Sequence, residues 1–173
     1  MEDKGVHILL DAMKLLSQQD VRLQARIVGA SGFGFGEETA YIRRLKANTP
    51  QTVHFFSYRS GSALGDLFRA ADIFCSPSVW EEGFGLVNVE AIASALPVVA
   101  TDSGGVQEIL SGGGGILVER GSVVQLADAL RRLAQDAELR RRMGRQGYAV
   151  FCERFAWAQA RTHVQAIEKM LFA

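Results

Sequence analysis

The chain has 173 residues, 48% apolar and 22% charged, with 19 basic residues balanced by 19 acidic ones. That length and composition fit one globular domain with its own core and exclude disordered and fibrous classes. Zero net charge argues against a generic nucleic-acid or membrane-surface binder, which carries a basic excess, and no apolar run is long enough to span a bilayer.

The start, Met1-Glu2-Asp3-Lys4, lacks the apolar core of a signal peptide. Val6, Leu9, Leu10, Met13 and Leu16 then recur at helical spacing, and Lys4-Gly5 sits at the head of that helix. Residues Val21–Gly29 alternate apolar and polar and end on glycine, which predicts a strand. Gly29, Gly32 and Gly34 follow in the pattern of a dinucleotide fingerprint. Further glycine and the lack of a ribose-holding acid after the next strand favour a loose loop near a ligand instead. A helix over Glu37–Lys46, a short strand over Thr52–Phe56, a helix over Ser62–Ala70 and a strand over Asp72–Cys75 come next. A helix over Leu86–Ala95 leads to a strand over Pro97–Thr101, with proline at the first position, where no ladder bond is lost. A short helix over Gly104–Leu110, four glycines and a strand over Ile116–Val118 complete the alternating part. From Ser122 onward the pattern is helical: Val123–Ala134, Ala137–Phe151 with a weak point at Gly144 and Gly147, and an amphipathic Ala156–Phe172.

Strands alternating with helices predict an α/β fold, a doubly wound parallel Rossmann-like sheet in one domain, residues 1–173, closed by the helices of 122–173. Ligands bind such sheets at the carboxyl ends of the strands. Cys75 and Cys152 lack metal-ligand spacing and read as buried small residues of a reducing compartment. His7, His54 and His163 are scattered and form no zinc or triad pattern, and no D-x-D sequence suggests a metal bridge. The arginines at 131, 132, 140, 141, 142 and 145 alternate with acids, as on a solvated helix face. The expected location is the cytoplasm, free or peripheral to the inner face of a membrane, and no cofactor is expected.

The stretch EEGFGLVNVEA, Glu81–Ala91, carries the most chemistry. Gly83 and Gly85 let the backbone approach a ligand closely, with Phe84 between them. Leu86, Val87 and Asn88 supply the first free amides of a helix, a seat for a diphosphate. Glu82 and Glu90, spaced E-x7-E, bring carboxylates to that corner from two sides, and carboxylates accept hydrogen bonds from vicinal hydroxyls. The bland alternative is a solvated acidic loop followed by a surface helix residue. A lysine such as Lys4 at a helix head can reach a phosphate, though alone it says little.

The run SPSVWEEGFGLVNVEAIASALPVVATDSGGVQEIL, Ser76–Leu110, resembles the nucleotide-sugar-binding domain of glycosyltransferase family 4, of the GT-B fold. The resemblance extends from Lys4-Gly5 to the closing helices. It implies that Glu82 contacts hydroxyls of the donor sugar and that Glu90 holds the ribose. It gives Gly83, Phe84, Gly85, Leu86 and Val87 the cradle of sugar and diphosphate, and Lys4 the leaving diphosphate. Tyr58 and Arg59 fall where family members contact the base, and Gly104-Gly105 falls on a glycine pair near the ligand. The implied activity is donor binding for a retaining transferase that moves a sugar from a UDP-, GDP- or ADP-sugar, without metal.

Two features of the family are not found in this sequence. One is a strand ending in Gly-Arg before the lysine, which would lie at the sheet centre between Arg22–Val28 and Asp72–Cys75. The other is the N-terminal acceptor domain, so the chain reads as the C-terminal half of an enzyme and is expected to be inactive alone. Two apolar strand edges facing a gap are a liability, so self-association or rearranged strand pairing is expected. Exposure of Trp157, Val164, Ile167 and Leu171 is expected on the last helix. Competing readings are a nucleotide-sugar-binding module without catalysis, another GT-B enzyme such as a sugar-nucleotide epimerase, and an NAD-dependent oxidoreductase.

Overall fold

The computed structural model describes residues 2–29, 39–159, 161–162 and 165. Residues 30–38, with the expected glycine loop and the start of the helix expected at Glu37, most of the helix expected over 156–172, and its residues Val164, Ile167 and Leu171 lie outside the described residues.

A short 3-10 turn, Glu2–Lys4, precedes helix α1, Val6–Gln18. Its apolar positions Leu10, Met13 and Leu16 are buried, at the three- and four-residue spacing that puts them on one face. Strand β1, Ala25–Val28, is followed by α2, Ala40–Ala47, where Thr39 accepts a capping bond from the Ile42 N–H at 3.3 Å. Then come β2, Val53–Phe56, α3, Gly61–Arg69, and β3, Phe74–Ser76. After these, α4 (Leu86–Ala93), β4 (Val98–Thr101), α5 (Val106–Leu110) and β5 (Gly115–Val118) alternate. Two long helices, α6 (Val123–Gln135) and α7 (Ala137–Val150), and a π-helical turn, Phe151–Phe155, finish the described elements. Ser122 and Asp136 cap α6 and α7 through the N–H groups of Gln125 and Leu139.

All strand pairs are parallel, as the alternation predicted, but the strands form two sheets. One is β1-β2; the other is β3-β4-β5. The expected rearranged pairing does not occur among the described residues: the edges of β1 and β3 stay unpaired, with a cavity of about 720 Å³ between them. Burial follows from this. All four residues of central β4 are buried, whereas β1 and β3 have no fully buried residue. The shortening of the first strand to Ala25–Val28 and of the third to three residues has the same cause, since strands extend only where a neighbour supplies ladder bonds.

One core lies on each face. Leu10, Met13 and Leu16 of α1 pack with Leu126, Leu130 and Leu133 of α6, while Ile92, Val98, Ala100, Val106 and Ile109 fill the other side with Phe68. Gly144 and Gly147 are packing points rather than weak points. A Cβ at Gly144 would stand 2.1 Å from the Ala95 carbonyl oxygen, and one at Gly147 3.0 Å from Ile92, so α7 runs unbroken against α4. Cys152 is exposed, which corrects the expectation of burial; only Cys75 is partly enclosed. Most of the helix arginines form a solvated face, with Arg131 paired to Asp128 at 2.7 Å and Arg141 paired to Glu138, but Arg140 is half-buried and donates to the Leu133 and Ala134 carbonyls at the end of α6, at 2.6 and 3.1 Å. No helix among the described residues is long and apolar enough to cross a membrane.

Candidate functional site

Three backbone segments make the corner at the carboxyl ends of β3 and β4. The first is the N-terminal turn. The Asp3 carbonyl accepts bonds from the Val79 N–H at 2.8 Å, the Trp80 N–H at 3.3 Å and the Ser78 hydroxyl at 2.9 Å. Gly5 adopts a left-handed φ of 63°, and a Cβ there would stand 1.8 Å from the Pro77 carbonyl oxygen. Only glycine meets both demands. This stitching, between residues more than seventy positions apart, delivers Lys4 to the corner.

The second segment is Glu82–Gly85, and the third is Ser103–Gly105, packed beneath it. The Gly105 N–H donates to the Glu82 carbonyl at 3.3 Å. A Cβ at Gly104 would stand 1.9 Å from the same oxygen, and one at Gly105 2.8 Å from the Gly83 oxygen and the Phe84 Cα. Backbone therefore lies directly on backbone, which is why a glycine pair follows β4. Gly83, by contrast, faces open space, with nothing within 4 Å of its missing side chain.

Gly85, at φ 83°, turns the chain into α4 without a side-chain cap. No backbone hydrogen bond among the described residues uses the Leu86 or Val87 N–H, so both remain donors at the positive end of the helix, whereas the Asn88 N–H, expected to be free, donates to the Gly85 carbonyl at 2.8 Å as the first turn closes. The Lys4 ammonium donates to Glu82 Oε1 at 2.5 Å, with the glutamate side chain 19% exposed and the lysine 51%. Glu90 is exposed one turn further along, and its carboxylate has no partner among the described residues. Phe84 meets Phe155 edge to face, with centroids 6.0 Å apart, which fixes the loop against the π-helical turn.

Tyr58 and Arg59 follow β2 and share the rim of the large cavity with Lys4 and Val87. Tyr58 is well exposed, and Arg59 donates to the Ser57 hydroxyl at 2.6 Å. The structure thus brings Lys4, Glu82, Gly83, Phe84, Gly85, Leu86, Val87 and Glu90 to one corner, with Tyr58 and Arg59 at the end of the other sheet. Trp80, Phe84, Leu86 and Val87 leave an exposed apolar patch around it.

Two buried side chains escaped sequence reasoning. Asn88 is fully buried in α4 with both amide atoms unpartnered, beside Gly85, and the Ser103 hydroxyl is buried and unpartnered. A buried polar atom left unpaired costs about 1–3 kcal/mol. The available signal was the lone amide in the apolar run Leu86-Val-Asn-Val.

The sequence profile described as "Glycosyl transferases group 1" matches residues 1–150. The chain belongs to this family. Among curated members of the group 1 glycosyl transferases, the D-inositol 3-phosphate glycosyltransferase of Corynebacterium aurimucosum is 35% identical over 168 residues, covering 95% of this chain and 39% of that protein. The chain thus spans well under half the length of that relative. Anabaena HepE, solved in complex with UDP and glucose, superposes on all of this chain and 46% of its own, with a TM-score of 0.84 at 27% identity. The C-terminal domain of a group 1 family protein, LpcC of Francisella tularensis, matches 91% of this chain and 82% of its own, with a TM-score of 0.72 at 27% identity. The fold of this group 1 member is therefore the α/β Rossmann-like fold of a GT-B C-terminal domain.

Proposed function

We propose that this chain is the donor half of a family 4 retaining glycosyltransferase, binding a nucleoside-diphosphate sugar at the Gly-Phe-Gly corner. One observation carries the reading. Lys4, two free helix amides, Glu82 and Glu90 converge on the open end of α4. Anion-seeking groups stand at the centre and hydroxyl-seeking carboxylates on either side. HepE, which shares the fold, is described as binding UDP and glucose, which supports a nucleotide-sugar donor here.

In this reading the diphosphate lies on the Leu86 and Val87 amides, and the Gly83 backbone stands against the sugar without a side chain between. Glu90 accepts from the ribose hydroxyls. Lys4 exchanges its bond with Glu82 for one to the diphosphate, and Glu82 turns to hydroxyls of the sugar. As the glycosidic bond to the diphosphate breaks, negative charge grows on the departing oxygen. Lys4 and the amides bind that charge more strongly than the ground state, which lowers the barrier. Losing one such donor costs on the order of 3 kcal/mol in the barrier. The acceptor and the reaction itself belong to the longer protein, and the 173 residues alone bind donor without transferring it.

Calorimetric titration with UDP, GDP, ADP and NAD tests this. Saturable binding of at least one nucleoside diphosphate, lost in Lys4→Ala, is the expected outcome. Binding of NAD with none of the three diphosphates would replace the transferase reading with a dinucleotide one.

A further inference from the structure

Among the described residues, the buried side-chain nitrogen and oxygen atoms without a hydrogen-bond partner are Asn88 Nδ2, Asn88 Oδ1 and Ser103 Oγ. All three flank one piece of backbone. A Cβ on Gly85 would stand 2.8 Å from Asn88 Nδ2, so the carboxamide lies against Gly85. Ser103 opens the segment packed beneath the 82–85 loop, where the Gly105 N–H reaches the Glu82 carbonyl. The buried Ser78 hydroxyl, by contrast, is spent on the Asp3 carbonyl at 2.9 Å. An unpaired buried amide opposes folding, so Asn88 has to be explained by something other than the core.

Its place in the helix supplies a reason. Gly85 is the N-cap of α4 and Asn88 the third helical residue. In a capping box the side chain at that third position accepts a bond from the N-cap N–H. Asn88 is one methylene shorter than the glutamine usual there, yet its amide already lies against Gly85. The box needs an N-cap with extended backbone, and Gly85 is left-handed instead, at φ 83° and ψ 52°. The Gly85 N–H has no partner among the described residues. Donor and acceptor of a capping box are therefore neighbours, both unspent, kept apart by the backbone angles of one glycine.

We propose, resting on the donor reading above, that Asn88 is a positioning residue for the donor. When the diphosphate seats on α4, Gly85 swings toward extended backbone and Asn88 Oδ1 accepts a bond from the Gly85 N–H. Glycine makes that change without a Cβ penalty. A ligand shifts such an equilibrium by its difference in affinity for the two forms. The closed box fixes the residue just before Leu86 and Val87, and so aims their N–H groups at the diphosphate. Two groups that oppose folding in the empty chain become one bond that favours the occupied chain.

The test compares the parent chain with Asn88→Leu, which keeps the side-chain volume and removes the amide. Because that amide is unspent while the site is empty, the Tm of the free variant is expected to rise by about 2–4 °C. Its affinity for UDP, or for GDP or ADP where the parent binds that one instead, is expected to fall about tenfold. A residue that merely filled the core would not move stability and affinity in opposite directions. Amide exchange by NMR gives a second readout that needs only the parent chain. The nucleotide is expected to slow exchange of the Gly85 N–H about tenfold or more, and in Asn88→Leu at saturation to protect Leu86 and Val87 but not Gly85. A lower Tm in Asn88→Leu would overturn the proposal, because the amide would then be bonded already in the empty chain. Unchanged nucleotide affinity in the variant, or Gly85 exchange indifferent to nucleotide in the parent, would overturn it too. Failure of the parent to bind any of the three nucleotides would sink the donor reading and this role with it, whereas failure confined to Asn88 leaves the donor reading standing.

Discussion

Gly104→Ala puts the corner's construction to a quantitative test. Gly104 sits at a left-handed φ of 49°, and the new methyl would stand 1.9 Å from the Glu82 carbonyl oxygen, where contacts under 3.0 Å essentially never occur. The left-handed backbone alone costs an alanine about 1–2 kcal/mol. Relief of the clash needs the 82–85 loop to retreat by roughly 1 Å, an overpacking cost of about 1–3 kcal/mol. Together these predict a loss of about 2–5 kcal/mol, or a drop in Tm of roughly 5–15 °C for a domain of this size. A displacement of that size at a positioned site costs on the order of a hundredfold in function, so UDP affinity is expected to fall at least tenfold in a protein that still melts cooperatively. Gly121→Ala is the control, because its φ of 75° carries the same backbone cost while nothing lies within 4 Å of the methyl. Differential scanning calorimetry and UDP titration of both variants decide the matter. Unchanged UDP affinity in folded Gly104→Ala would refute the claim that the glycine pair holds the loop in its binding position.

The remaining predictions address the ligand side and the thiols. Gly83→Ala meets open space, so its melting temperature is expected to stay within about 2 °C of the parent, while its nucleotide-sugar affinity falls; equal affinity would show that no ligand approaches that backbone. Glu90→Ala is expected to weaken UDP binding more than Glu82→Ala, because Glu82→Ala also frees Lys4 from its 2.5 Å partner, and equal affinities by calorimetry would contradict the ribose assignment. Burial pushes the Cys75 thiol from an ordinary 9.0 up to about 12. Mass spectrometry after iodoacetamide at neutral pH should therefore find Cys152 alkylated and Cys75 spared. Between pH 9 and 12 the unfolded thiol ionises while the folded one stays protonated, so Cys75 subtracts stability as pH rises through that window and leaves it unchanged below.

The fold was legible because helical spacing and apolar alternation report burial directly. Leu10, Met13 and Leu16 of α1 are buried as their spacing required, and Pro97 stands just before β4. The glycines were harder to read. Gly144 and Gly147 have low helix propensity, but propensity is blind to the Ala95 carbonyl and the Ile92 side chain that need their small size. Strand ends were overestimated at Val21–Gln24 because composition cannot register an absent neighbour. At the site, the glycines and acids of Glu82–Glu90 announced themselves by pattern. The Lys4–Glu82 contact did not, since it depends on three bonds to the Asp3 carbonyl, a backbone atom without a sequence signature.

The central claim, that a diphosphate sits on the first turn of α4, is most directly met by a crystal structure of the chain with UDP. Phosphate oxygens are expected within hydrogen-bond reach of the Leu86 and Val87 amides, with the Lys4 ammonium turned from Glu82 toward them and the ribose against Glu90. UDP bound elsewhere, with the Lys4–Glu82 pair intact and the α4 amides facing solvent, would contradict it.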